Sequence, residues 1–201
     1  MAVSILVMST SISPVHAMDF IAHPNNKSEN LLAILAVGEI QNGDVEKLDS
    51  VISAQPKRKH VAVYLGSDGG DLYEGMRLGL YFRAHGIKTS LEGEMVCASA
   101  CALAFLGGTD SKGKMWRSSS TNARLGFHAF RSAQRAAISS DDVQAVVADI
   151  LAYGRRIDAP VELLILNFMT PSDQITWIPN DVICQLGIKL WNVHTDKFDC
   201  N

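Results

Sequence analysis

The fold is indicated most clearly by residues 60–70, which read HVAVYLGSDGG. The first six positions are mostly apolar and β-branched, which is typical of a buried strand. The Gly and Asp residues then end the strand, and helical spacing begins at once. Such a strand-to-helix junction leaves backbone N–H groups free to hold an anion or an oxyanion. Taken alone, the same pattern is also that of a plain turn.

Strands alternate with helices on both sides of this junction. The apolar periodicity predicts strands at 32–40, 60–65, 87–91, 123–130 and 188–193, and helices at 45–54, 71–84, 98–105, 140–157, 160–168 and 180–186. Segments 18–31 and 109–122 read as irregular. Gly75 and Gly79, one turn apart, would allow a close helix contact. The alternation predicts an α/β domain with a largely parallel sheet.

Length and composition bound the class of protein. The 201 residues suffice for one well-buried core and are short for two. A content of 47% hydrophobic and 19% charged residues is typical of a globular chain. The net charge of −3 provides no basic surface for nucleic acid. The six histidines include no HxH or HxxxH pair, so neither a metal site nor another cofactor is predicted.

Residues 1–17 resemble an export signal. A short apolar run is followed by Val15-His16-Ala17, whose spacing fits a signal-peptidase site and predicts a mature chain from Met18. No Lys or Arg precedes the run, so a disordered cytosolic tail is the alternative. Neither this run nor any later segment has the length of a membrane helix. We therefore expect a periplasmic or secreted protein with no membrane span.

The four cysteines are an even number, which suits an oxidising compartment. Three pairings are open from the sequence, and a Cys-x3-Cys spacing is not typical of zinc sites. Cys97 and Cys101 lie one helical turn apart, which would bring their Cα atoms to about 6 Å, within disulfide range. We predict this disulfide, with Cys184 and Cys200 as the second pair.

Ser99 and His128 are the candidates for nucleophilic chemistry. Ser99 lies among very small side chains in CASACA at 97–102, which would leave its hydroxyl accessible. The alternative is a small-residue helix packed tightly against a neighbour. His128 lies in the apolar run GFHA, where a hydrogen-bonded core histidine is the alternative. The chain has no GxSxG, which excludes the nucleophile elbow of the α/β-hydrolases.

The order and spacing of these segments resemble the ClpP proteases. The matching segments are GEI at 38–40, YLGSDGG at 64–70 with Gly75-Met76, Ser99 with the apolar run to Gly107-Gly108, KGK at 112–114, His128 at 29 residues after Ser99, the helix at 140–157 and LGI at 186–188. Residues 35–190 are covered. More closely, the chain resembles exported ClpP-like proteins with Cys-x-Ser-x-Cys around the serine, a group of poorly defined function.

The resemblance implies a ClpP/crotonase-like spiral of ββα units, as a single domain over 32–195 with a tail at 196–201. It further implies a serine hydrolase, a peptidase in the first place, that needs no cofactor. The implied roles are nucleophile for Ser99, general base for His128, and oxyanion-hole N–H donors for Gly70 and Ala100. Asp173 is our choice for the third catalytic residue and Asp181 the second choice; a backbone or Asn partner for His128 is a further alternative.

Asp68 departs from the family, which has proline there, and it places a negative charge beside the implied oxyanion hole. A catalytically silent peptide-binding module is therefore one rival function. A crotonase-like thioester enzyme is a second. The partner expected for the hydrolase is a peptide or protein, paired with the edges at Gly70–Asp71 and Ala129–Arg131. The helix at 140–157 packs between subunits in the family, which implies a homo-oligomer, unless this helix is buried against its own domain.

Overall fold

The computed structural model describes residues 16–24, 30–56, 60–130 and 139–200. The predicted signal at 1–17 falls mostly outside these residues. Within them the elements are β1 (Asp19–Pro24), β2 (Leu31–Val37), α1 (Asp44–Ser53), β3 (His60–Gly66), α2 (Leu72–His85), β4 (Ile87–Leu91), β5 (Val96–Ala98), α3 (Ala100–Phe105), β6 (Arg117–Ser120), β7 (Arg124–Phe127), α4 (Ser140–Arg156), α5 (Val161–Met169), β8 (Thr176–Trp177), α6 (Asn180–Ile183), β9 (Lys189–Asn192) and β10 (Lys197–Phe198).

Two sheets form the framework. The larger has the order β1-β2-β3-β4-β6-β9-β10, and its five central strands are parallel while β1 and β10 pair antiparallel at the edges. The smaller has the order β5-β7-β8, in which β5 and β7 are parallel. The α/β class with a largely parallel sheet is confirmed. In the described residues no helix is long and apolar enough to cross a membrane.

Helix α3 lies in the middle of the core, and all six of its residues are buried. Helix α2 packs closely against it, because a Cβ on Gly75 would come within 2.6 Å of the Ala100 carbonyl oxygen. A Cβ on Gly79 would collide with the Tyr153 hydroxyl of α4. That hydroxyl donates a hydrogen bond of 2.6 Å to the Leu103 carbonyl. The predicted close contact at the two glycines therefore sets the position of α3.

Strand β6 lies inside segment 109–122, which the sequence predicted to be irregular. Its four residues are polar and buried, so hydrophobic periodicity could not reveal it. The three serine hydroxyls and Arg117 Nη2 are hydrogen-bonded, as most buried polar groups are, whereas Arg117 Nε and Nη1 have no partner among the described residues. Ser118 donates to the Ser90 hydroxyl at 2.9 Å, and Ser120 to the Gly93 carbonyl at 2.8 Å. Arg117 donates to the Ile157 carbonyl at the end of α4, and burial lowers its pKa to about 10.

Several element boundaries also differ from the sequence analysis. Residues 19–24, expected to be irregular, form β1 because the edge of β2 offers them backbone partners. The helix expected from Ala98 begins at Ala100, since the preceding residues pair as β5. Helix α4 begins at Ser140 as expected, and Ser139 caps it, because the Ser139 hydroxyl accepts from the Asp142 N–H at 3.1 Å.

Candidate active site

Ser99 lies at a sharp turn between β5 and α3. Its backbone has φ 57° and ψ −125°, in the left-handed half of conformational space that non-glycine residues rarely occupy. Holding a residue there costs about 1–3 kcal/mol, so the surrounding structure must enforce the turn. The turn leaves Ser99 half-buried between the fully buried Ala98 and Ala100. A strained, partly accessible serine is what a positioned nucleophile requires.

Backbone hydrogen bonds from two other segments hold this turn. The Ala98 N–H donates to the Ser67 carbonyl at 3.0 Å, and the Ser99 N–H donates to the Gly126 carbonyl at 3.1 Å. The Ser99 carbonyl accepts from the Leu103 N–H at 3.2 Å, which begins the hydrogen-bond ladder of α3. The turn is thus attached to β3, to β7 and to its own helix.

Two disulfides are present in the described residues, Cys97–Cys101 and Cys184–Cys200, the pairings that the sequence favours. The first spans the Ser99 turn with its Cα atoms 5.3 Å apart, and both of its cysteines are fully buried. The second joins the end of α6 to the C-terminal segment, with Cα atoms 6.0 Å apart.

Gly69 and Gly70 face the serine from the end of β3. Both have positive φ, 117° and 137°, which only glycine adopts readily. A Cβ on Gly69 would lie 2.7 Å from the Ser99 Cβ and 3.2 Å from its Oγ, so Gly69 is in direct contact with the serine. A Cβ on Gly70 would collide with the Ile40 carbonyl oxygen. Both positions therefore require glycine for space as well as for conformation.

The orientation of the Gly70 N–H follows from the bridge that this glycine forms with Ile40. The Ile40 N–H donates to the Gly69 carbonyl, and the Asp71 N–H donates to the Ile40 carbonyl, both at 2.8 Å. In a parallel bridge of this pattern the central residue directs its own N–H away from the partner strand. The exposed Gly70 therefore presents its N–H outside the bridge, where an oxyanion could accept from it.

His128 follows the last residue of β7. Strands β5 and β7 are parallel with Ala98 opposite Gly126, so Ser99 and His128 both emerge at the carboxyl ends of neighbouring strands. Adjacent strands lie about 4.8 Å apart, which puts the two residues on the same edge of the sheet. Between the described residues no hydrogen bond joins the Ser99 hydroxyl to the imidazole.

The imidazole is oriented by the backbone. His128 Nδ1 lies 2.8 Å from the Ala129 carbonyl oxygen. A carbonyl can only accept, so Nδ1 carries the hydrogen and, in the neutral ring, Nε2 is the unprotonated nitrogen. This tautomer is the one that a general base needs.

Asp173 lies in a segment that runs beside the histidine segment, and the described residues include no hydrogen bond between the two side chains. Asp173 is exposed in a turn in which the Gln174 N–H donates to the Pro171 carbonyl at 3.0 Å. The turn runs beside the histidine segment, because the Ala129 N–H donates to the Thr170 carbonyl at 2.8 Å. Asp181 is exposed at the start of α6. The Nδ1–H group of His128 donates to the Ala129 carbonyl, so in the described residues the partner of the imidazole is the backbone rather than Asp173 or Asp181. A catalytic role for Asp173 stays a prediction.

Solved structures resemble the chain, although no protein-family model and no curated protein matches it by sequence. A ClpP1 mutant from Listeria monocytogenes is 15% identical, with 82% of this chain and 93% of that chain covered at a TM-score of 0.55. A mutant of the membrane-bound stomatin-specific protease 1510-N is 13% identical, with coverages of 80% and 76% at 0.53. The ClpP catalytic domain of Plasmodium falciparum is 19% identical, with coverages of 74% and 77% at 0.50.

The chain has a ClpP-like fold. The predicted single-domain architecture is therefore confirmed, while identities below 20% show the fold alone. Within this ClpP-like fold the structure brings Ser99, Ala100, Gly70 and His128 to one edge.

Sequence reasoning missed two contacts of this site. Gly69 was seen only as part of a turn, although it is the residue that touches Ser99. Gly126 holds the Ser99 N–H, and Ile175 and Trp177 leave no room for a Cβ there. A glycine inside a predicted strand is the available signal, because it often marks a close backbone approach.

A separate cavity of about 450 Å³ lies away from this edge. It is lined by residues of the larger sheet, among them Tyr64, Lys88, Ser90 and Trp191, and by adjoining residues such as Trp116. Neither Ser99 nor His128 borders it. The candidate active site is therefore an open edge of the ClpP-like fold rather than this cavity.

Proposed function

We propose that the chain is an exported serine-type peptidase. Ser99 is the nucleophile, His128 the general base, and Gly70 and Ala100 supply the oxyanion-hole N–H groups. The observation that carries the proposal is the strained Ser99 turn, hydrogen-bonded to Gly126 two residues before His128. Holding Ser99 at positive φ beside the end of β7, where His128 follows, costs free energy, and a serine with a purely structural role would not require that conformation.

The chemistry follows from the tautomer of His128. Its unprotonated Nε2 takes the proton of the Ser99 hydroxyl as Oγ attacks the carbonyl carbon of a peptide bond. The imidazolium then gives that proton to the leaving amine, and an acyl-enzyme ester remains on Ser99. Water, deprotonated by the same nitrogen, hydrolyses the ester and restores the free serine.

The oxyanion hole is supported by the backbone around Ser99. Gly70 directs its N–H out of the bridge with Ile40. Ala100 is the first residue of α3, where N–H groups have no partner within the helix. Two such donors stabilise the negative oxygen that forms during attack, and losing one typically costs about 10²–10³ in rate.

The substrate is proposed to bind as an added strand. Gly70 can pair on one side, since its N–H is directed away from Ile40. On the other side Ala129 is already engaged, because its N–H donates to Thr170 and its carbonyl accepts from His128. Pairing there would fall to Phe130 and to Arg131, which lies outside the described residues. An extended peptide is the ligand that both edges can take by main-chain hydrogen bonds.

The two disulfides support export. Disulfides form and persist in oxidising compartments and are rare where thiols are kept reduced. We therefore keep the periplasm or the exterior as the proposed location.

We also propose a homo-oligomer that uses α4 and α5. Helix α4 buries only Ile150, Tyr153 and Gly154, although it carries more apolar side chains than these three positions. Val143 and Leu151 of α4 and Val161, Ile165 and Met169 of α5 remain exposed. Burying these exposed apolar side chains against a second copy of the chain would favour association of the two copies. Light scattering of the full chain at micromolar concentration is expected to give a multiple of the monomer mass, and a monomer would contradict the proposal.

A silent peptide-binding module is the second candidate. The exposed Asp68 beside Gly69 and Gly70, and the absence of a Ser99–His128 hydrogen bond in the described residues, favour it. Both candidate proteins bind a peptide, but the peptidase hydrolyses it and the binding module does not.

A fluorophosphonate separates them. A free serine hydroxyl is too weak a nucleophile to react, so labelling requires an adjacent base and an oxyanion hole. We expect one adduct per chain, located on Ser99 by peptide mass spectrometry and absent in Ser99→Ala. Ser50→Ala is the control and should label as the parent does, since Ser50 is an exposed serine of α1 whose hydroxyl donates to the Glu46 carbonyl within that helix. Folded protein that stays unlabelled would favour the binding module.

A further inference from the structure

We propose that the Cys97–Cys101 disulfide positions Ser99, so that the site is competent only after this bond has formed. The inference rests on the proposed function, since it concerns the reactivity of the same serine. The bond joins the residue two before Ser99 to the residue two after it, and so connects β5 directly to α3 across the strained turn.

The hydrogen bonds of the turn leave a place for this constraint. The Ala98 N–H donates to the Ser67 carbonyl, and the Ser99 N–H donates to the Gly126 carbonyl. These two hydrogen bonds fix the strand side of the turn. On the helix side the first bond is the one from Leu103 to the Ser99 carbonyl. The disulfide spans residues 98–100, which include Ser99, the proposed nucleophile, and Ala100, one proposed oxyanion donor. Without it the strained φ of Ser99 can relax while β5 and α3 keep their own bonds.

The second disulfide provides an internal comparison. Cys184–Cys200 closes a segment of sequence separation 16, against 4 for Cys97–Cys101, and it joins α6 to the C-terminal segment. A longer closed loop restricts the unfolded chain more, so the second bond should contribute more to stability. The first should contribute more to the geometry of Ser99. We therefore assign the reactivity of Ser99 mainly to the Cys97–Cys101 disulfide and the stability of the fold mainly to the Cys184–Cys200 disulfide.

Burial decides when the first bond forms. Both of its cysteines have no exposed surface, so an oxidant reaches them only before the core closes, and a reductant cannot reach them afterwards. In the oxidation, a thiolate of one cysteine attacks the disulfide of oxidised glutathione. The other cysteine then attacks the mixed disulfide, so two protons and two electrons leave the chain and two molecules of reduced glutathione are released. A chain folded under reducing conditions would remain silent.

The test compares two double variants of the full chain, Cys97→Ala with Cys101→Ala and Cys184→Ala with Cys200→Ala. The rate of fluorophosphonate labelling and the melting temperature are measured for both and for the parent. We expect the first variant to label about 10- to 100-fold more slowly at saturating probe, as for a displaced nucleophile. We expect the second to label at the parental rate while losing more melting temperature.

Refolding of the parent keeps the test decisive if the first variant does not fold. The chain is refolded in reduced or in oxidised glutathione, and labelling is compared with the content of the Cys97–Cys101 bond determined by peptide mapping. Labelling that rises with the bond supports the inference. Parental labelling of either the first variant or the reduced chain overturns it and leaves the proposed function standing. An unlabelled oxidised parent overturns both.

Discussion

The serine side of the site, residues 67–70 and 97–101, and the histidine side, residues 126–130 and 170–176, are built differently. On the serine side Ser99, the proposed nucleophile, lies in a turn that is spanned by a disulfide, contacted by Gly69 and hydrogen-bonded to the Ser67 and Gly126 carbonyls. On the histidine side the imidazole is oriented by the carbonyl of the next residue. The backbone geometry is therefore held firmly at Ser99, the proposed nucleophile, whereas His128, the proposed base, is oriented in the described residues by a single local hydrogen bond.

The largest effect is expected on the histidine side. His128→Ala removes the proton acceptor without altering a buried contact, so labelling of Ser99 should fall by about three orders of magnitude or more. The melting temperature should change little, because His128 is only half-buried. His194→Ala, at an exposed histidine in the C-terminal segment, is the control and should label as the parent does. Labelling of His128→Ala at the parental rate would remove the histidine from the mechanism.

On the serine side, the addition of a single methyl group should be enough to slow the labelling of Ser99. Gly69→Ala brings a Cβ within 2.7 Å of the Ser99 Cβ, so the serine must move, and labelling should fall by about 10- to 100-fold. Gly43→Ala is a matched control, since Gly43 also has positive φ, 96°, but open space where the Cβ would lie. Both variants should lose about 1–2 kcal/mol of unfolding free energy from the backbone. Equal labelling of the two would show that the Gly69 contact does not position Ser99.

The same comparison explains what the sequence could predict. The alternating elements were visible because apolar periodicity marks strands and helices, and the cysteine spacing marked a bond across Ser99. Strand β6 was not visible, because Arg117 and three serines carry no apolar pattern. The contact of Gly69 with Ser99 joins residues 30 apart, which only the folded chain brings together. The carbonyl that orients His128 has no sequence signal at all, since every residue possesses one.

Asp68 tests the charge beside the oxyanion hole. Asp68→Asn removes a negative charge next to Gly69 and Gly70 and should speed labelling by about two- to fivefold, a small gain because the carboxylate is exposed. Added salt should reduce the gain, since exposed charges are screened over about 8 Å at physiological ionic strength. Asp68→Pro, which introduces the proline expected from the resemblance to the ClpP proteases, should not label more slowly than the parent. An unlabelled parent that neither variant rescues would favour the binding module.

The smallest effect is expected for Asp173, and it bears on how the histidine side works. Asp173 is exposed and the Nδ1 hydrogen goes to the Ala129 carbonyl, so Asp173→Ala should slow labelling by no more than about threefold, far less than loss of a triad carboxylate would. Asp181→Ala, at the second exposed carboxylate, should behave in the same way if neither group orients the ring. A loss for Asp173→Ala as large as that for His128→Ala would instead mean that the turn at 170–176 closes onto the imidazole during the reaction. The carboxylate would then replace the carbonyl as the partner of Nδ1, because a triad carboxylate both orients the imidazole and stabilises the imidazolium that forms.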